Sequence, residues 1–96
     1  MTKAKMIETI QQREAELWLK MTEYKYNNAP LYDGYDAYRA FEDNDKHLCC
    51  LRFEWCAVWE LMEALGIEMD WGLQPHREAS EMDSEIWKLT HTEEIA

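Results

Sequence analysis

Four side chains able to ligate a metal, Asp43, His47, Cys50 and Glu54, recur at i, i+4, i+7 and i+11, the spacing of one helix face. At 1.5 Å per residue they extend over about 16 Å, so a single ion could take only two of them. A tetrahedral zinc site would need His76 or His91 as well, and no paired-ligand spacing announces one. A solvated helix face is the expectation, with no cofactor. The three cysteines, Cys49, Cys50 and Cys56, lie within eight residues. Cys49 and Cys56 would stand about 10 Å apart along a helix, too far for a disulfide. Reduced thiols are expected, with Cys49 and Cys56 packed as small hydrophobes rather than activated as nucleophiles. No catalytic residue is assigned.

Glu60 and Glu63 form an E-x-x-E pair, followed after fourteen residues by Glu78 and Glu81. Carboxylates paired across two helices suit Mg²⁺, which takes hard oxygen ligands and bridges to phosphate. Over residues 60–81 the pattern resembles the MazG-like all-α nucleoside triphosphate pyrophosphohydrolases. The resemblance implies metal-dependent nucleotide hydrolysis, with Glu60, Glu63, Glu78 and Glu81 as the magnesium ligands. The family's second motif ends in Asp where this chain has Glu81, and no basic cluster is present to hold a triphosphate.

A different chemistry is recognition. Glu78, Glu81 and Glu85 fall at i, i+3 and i+7, a row of like charge on one helix edge. Carboxylates about 5 to 6 Å apart approximate the spacing of phosphates along a DNA strand. The row is similar in type to those of small acidic helical proteins of phages and mobile elements, which occupy the DNA-binding clefts of defence enzymes. Tyr24, Tyr26, Tyr32, Tyr35, Tyr38 and Phe41 crowd into eighteen residues. Tyr offers rigid area with a polar tip and is enriched at protein interfaces, although the same rings could simply pack a loop onto its helices. Tyr32, Tyr35 and Tyr38, with Glu78, Glu81 and Glu85, are the candidate partner-binding residues. The expected function is a non-catalytic interaction protein, such as an inhibitor or regulator of a nucleic-acid-binding enzyme. The alternatives are the metal-dependent hydrolase and a structural dimerisation module.

Charge supports this ordering. The 96 residues carry 20 Asp and Glu against 10 Lys and Arg, for a net charge of -10, and the pI is near 4.6. A direct grip on nucleic-acid phosphates needs a basic face, so it is disfavoured. Residues 1–28 hold four acids and five bases, net +1; residues 29–65 hold eight and three, net -5; residues 66–96 hold eight and two, net -6. A generic solubilising surface is the plainer reading of this acidity. The longest apolar run, Trp55 to Trp59, is five residues, against roughly 20 for a membrane span and 7 to 15 for a signal core. A cytoplasmic protein without membrane contact is expected.

These side chains need elements to hold them. The chain is long enough for a single all-α domain over residues 1–96, and 47% of it is apolar. Ile7, Ile10, Leu17, Met21 and Tyr24 trace one helical stripe, interrupted at Glu14, and predict a helix over about 4–26. Asn27, Asn28, Pro30 and the Asp33-Gly34 pair predict a loop over 27–34, with Asp33 capping the second helix. Phe41, Asn44, Leu48, Leu51, Trp55, Val58, Met62 and Leu65 form a heptad seam, predicting one long helix over 35–65 that ends in a Schellman turn at Gly66. The two helices should make a long antiparallel hairpin. Counting back from the loop puts Glu14 opposite Arg52, a predicted ion pair. A shorter C-terminal helix over about 76–90, in an acidic segment, presents Ala79, Met82, Ile86 and Leu89 and should cover Val58 to Leu65. Phe53, Cys56 and Trp59 lie off the seam, so a twofold dimer is expected unless something covers them.

Overall fold

The computed structural model describes residues 2–91; residues 92–96 of the acidic tail lie outside that range. Helix α1 spans Lys3–Asn28, a 3₁₀ turn spans Ala29–Leu31, and α2 (Tyr35–Asn44), α3 (Lys46–Leu65) and α4 (Gln74–Thr90) come after it in the chain. The fold is all-α, with no strand among the described residues, and none of these helices is long and apolar enough to cross a membrane.

Local chemistry sets each helix end. Thr2 caps α1 by accepting from the Lys5 N–H at 3.1 Å. The helix stops where Asn28 Nδ2 donates back to the Tyr24 carbonyl at 2.8 Å and Pro30 removes the next donor. Gly34 opens α2 at φ +91°, a conformation that favours glycine, and the expected Asp33 cap is not made. At the end of α3, Gly66 takes φ +69° and the Ile67 N–H reaches the Met62 carbonyl at 2.8 Å, which is the predicted Schellman closure. Leu73 precedes α4 and Pro75 sits in its first turn, where a missing N–H costs no helical hydrogen bond.

The long helix expected over 35–65 is two helices. Asp45 leaves the helical region at ψ 124°, and its side chain accepts from the Leu48 N–H at 2.9 Å. An Asp that can bond a backbone N–H competes with the interior of a helix and wins as a cap. The same carboxylate accepts from the Tyr24 hydroxyl at 2.9 Å, which pins the break to α1. Asn44, the non-apolar member of the seam, is exposed at that point.

The Leu48 N–H bond holds the Asp45 carboxyl below its ordinary range; burial opposes this and the Tyr24 hydroxyl adds to it. A lowered native pKa means the unfolded chain takes up the proton first as pH falls. The contribution is therefore complete above the ordinary carboxylate pKa of about 4 and is lost as pH falls through the lower native value. Asp45→Asn keeps a capping side chain but removes the titration. Its Tm should fall less steeply than that of the native chain below about pH 4; parallel acid limbs in a calorimetric series would contradict the assignment.

α3 runs antiparallel to α1, since Asp45 at its start meets Tyr24 and Trp55 farther along meets Glu14. α4 runs parallel to α1, with His76 at its start against Glu14 and Ile86 packed with Met21 and Ala29. α1 is thus the central element, packed against both α3 and α4. The main core gathers Met21, Ala29, Tyr38, Phe41, Leu48, Leu51 and Ile86. The expectation that the last helix covers Val58 to Leu65 is corrected: α4 lies on α1, because residues 66–73 carry the chain across α1 before the helix starts. Gln11 Nε2 anchors that crossing by donating to the Glu68 carbonyl at 2.9 Å. Leu89 is exposed, and the buried face of α4 is His76, Ala79, Ile86 and Thr90.

Candidate functional site

The acidic row is brought to a groove. α4 turns Glu81 and Glu85 to solvent and leaves Glu78 half-buried. With Tyr26 of α1 and Met82 they line a depression of about 280 Å³ that has no basic lining residue. Glu78 accepts from Gln74 Nε2 at 2.9 Å, and Glu85 lies 3.3 Å from Lys88 in a well-exposed pair. Exposed pairs of this kind hold little energy, so Lys88 can release Glu85 to a partner.

The tyrosines are distributed differently. Tyr38 is buried in the core and does not reach a surface; burial pushes its hydroxyl pKa far up, with Glu42 and Asp83 adding to it. Tyr32 stacks on Phe41 at 4.8 Å. Of the three candidates, Tyr35 alone is exposed; it packs on His91 at 4.7 Å, His91 stacks on Trp87 at 4.6 Å, and Arg39 donates to its hydroxyl at 3.1 Å. Spacing could not separate these fates, because Tyr35 and Tyr38 stand at i and i+3, neighbours on one edge of α2.

Sequence reasoning missed the tryptophan cluster. Glu14 is 0% exposed, and its two oxygens accept from Trp55 Nε1 at 2.7 Å and pair with His76 Nε2 at 2.6 Å. The predicted Glu14–Arg52 pair is corrected. Arg52 faces solvent, and the break at Asp45 sets the register so that Glu14 meets α3 about one turn later than a continuous helix would. With Nε2–H directed at the carboxylate, His76 Nδ1 is buried without a partner. Around this hub Trp18 lies 5.2 Å from Trp55 and 6.2 Å from His76, Trp71 lies 4.6 Å from His76, and Trp59 stacks on Trp55 at 6.1 Å. The one signal in the sequence was a charge in an apolar stripe.

The remaining candidates stay apart. Among the described residues no group of three or more His, Cys, Asp or Glu side chains is arranged to hold a metal ion. Glu60 and Glu63 of α3 therefore do not gather with Glu78 and Glu81 of α4, nor do Asp43, His47, Cys50 and Glu54 close on one another. His47 packs edge-on against Tyr24 at 4.6 Å. All three cysteines are free; Cys49 and Cys50 are exposed and Cys56 is half-buried, which corrects the expectation that Cys49 and Cys56 pack in the core.

The class these features define is an all-α protein of a central helix flanked by an antiparallel and a parallel neighbour, with an acidic groove on the latter. No family model, curated protein or solved structure matches the chain.

Proposed function

We propose that the protein is a non-catalytic interaction protein whose α4 carboxylate row engages a basic protein surface of the kind that holds nucleic acid. The observation that supports this is the groove of Glu78, Glu81 and Glu85 beside Tyr26 and Met82, with carboxylates at helical spacing, no base in its lining, and only the exposed Lys88 pairing with Glu85 from outside it. A partner's lysines and arginines would meet charge there, and Tyr26 with Met82 would supply apolar contact. The partner class is an enzyme or regulator whose own ligand is DNA or RNA. With the partner recovered by affinity capture from the native cell, the complex should weaken steeply from 50 to 300 mM salt, about 10-fold or more. Duplex DNA should compete. A complex indifferent to both salt and DNA would sink the reading.

A second reading, a dimerisation module, is favoured by one face. Phe53, Ala57, Leu61 and Leu65 form an i, i+4 ridge along α3, the kind that seats in the groove of another helix. All four are exposed, Phe53 at 71%. α4 does not cover this ridge. If a twofold mate does, light scattering at micromolar concentration should return twice 11.6 kDa, and Phe53→Glu should return a single chain with unchanged helix content. A native chain already monomeric removes this reading.

A further inference from the structure

A cavity of about 540 Å³ opens where α3 ends, lined by Trp59, Met62 and Glu63 on the helix and by Glu68, Met69 and Trp71 on the crossing segment. We propose that it is a cation-recognition site that takes the guanidinium group of an arginine side chain from a protein partner.

Three independent features favour positive charge there. The last turn of α3 and its cap line the cavity through Met62, Glu63 and Gly66, within the one-turn range of a helix C-terminus where cations are stabilised. Glu63 and Glu68 are both exposed, neither joins an ion pair among the described residues, and no basic residue lines the cavity. The indoles of Trp59 and Trp71 supply aromatic faces, the side chain best suited to attract a cation. Arginine fits better than lysine, because its planar, weakly hydrated head stacks on indole while its N–H fork reaches carboxylates.

The walls are held in advance. Trp59 stacks on Trp55, whose Nε1–H is fixed by Glu14. Trp71 stands edge-on to Trp18 at 6.5 Å and against His76, which is fixed by the same carboxylate. The turn carrying Trp71 is closed by the Gly72 N–H to Asp70 at 3.0 Å. One buried carboxylate therefore sets both indoles, and little ordering cost remains for the ligand. Met62, 1% exposed, forms the floor.

Openness decides the source of the cation. Trp71 is 59% exposed and both carboxylates face solvent, so a free small cation binds here only weakly, short of the roughly 70–90% surface coverage that tight small ligands usually have. A side chain delivered by a larger partner surface does not need it. The proposal rests on the interaction reading only in naming a protein as that source; the site lies off the α4 row and is tested apart from it.

The test titrates the ¹⁵N-labelled full chain with capped Gly-Arg-Gly, capped Gly-Gln-Gly and tetramethylammonium chloride at constant ionic strength, reading the indole Nε1–H signals. The arginine peptide should shift Trp59 and Trp71 saturably, and the glutamine peptide should not. Trp71→Ala should weaken binding about 3- to 30-fold. The surface double variant Glu63→Gln/Glu68→Gln, which leaves every indole contact in place, should weaken it about 3- to 10-fold. Tetramethylammonium binding tighter than the arginine peptide would overturn the arginine assignment. No saturable shift with either cation, or equal shifts with the glutamine peptide, would overturn the site. Glu78, Glu81 and Glu85 substitutions should leave these titrations unchanged, so failure of the α4 reading and failure of this one are distinguishable.

Discussion

Glu14→Leu should destabilise the protein by about 3 to 5 kcal/mol, the cost of breaking a buried pair by removing one partner. The substitution strands two buried donors, Trp55 Nε1–H and His76 Nε2–H, in a site where the Glu14 and His76 side chains are 0% and 1% exposed. Against a total of about 5 to 15 kcal/mol for a domain this size, that is a large share of the fold's stability. Glu14→Gln keeps an acceptor for the indole and should cost less, about 1 to 3 kcal/mol. The double variant Glu14→Leu/His76→Leu should be more stable than either single variant, since the Trp55 N–H is then the one donor of this hub left without its partner. Urea unfolding followed by tryptophan fluorescence and by circular dichroism checks all three. A Glu14→Leu chain as stable as the native one would show that the hub does not hold the helices together.

That hub shows what the chain makes legible and what it does not. The stripe Ile7, Ile10, Leu17, Met21 and Tyr24 and the seam from Leu48 to Met62 encode their helices locally, so α1, α4 and the Gly66 terminus fall within two residues of expectation. Glu14 stood out because a charge in an apolar stripe demands a partner. Its partner could not be read, because that depends on register, and register depends on Asp45. In sequence Asp45 sits inside a heptad pattern; only the approach of Tyr24 and the free Leu48 N–H makes it a cap. The position of α4 was hidden for the same reason. Its stripe fits any apolar groove, and the crossing of residues 66–73 over α1 decides which. Site composition was half legible: Glu78, Glu81 and Glu85 lie together as their spacing requires, whereas the cavity between Trp59 and Trp71 joins residues that periodicity treats as separate.

Glu78→Lys, Glu81→Lys and Glu85→Lys together should slow association with the basic partner by about 10- to 1,000-fold, the range over which electrostatic steering acts. Dissociation should change less, because rim charges act chiefly on encounter. Each reversal adds two charges, so the net charge moves from -10 to -4; a general loss of acidity must therefore be separated from loss of this row. Glu8→Lys, Glu16→Lys and Glu23→Lys reach the same -4 from exposed positions on α1. The Debye length near physiological salt is about 8 Å, and Glu8 and Glu16 line a separate depression with Asp70 and Leu73 rather than the groove of Glu78, Glu81 and Glu85, so charge there contributes less to a contact made at the α4 row. Steering by the row predicts a large rate loss for the α4 triple and a small one for the α1 triple, in stopped-flow measurements at matched salt. The fold should tolerate the first set: Glu81 and Glu85 are exposed, and Glu78 holds only Gln74. Glu85→Lys sets like charge one turn from Lys88 and should cost only a few tenths of a kcal/mol. Equal rate losses for the two triples would assign the effect to net charge and remove the row from the function.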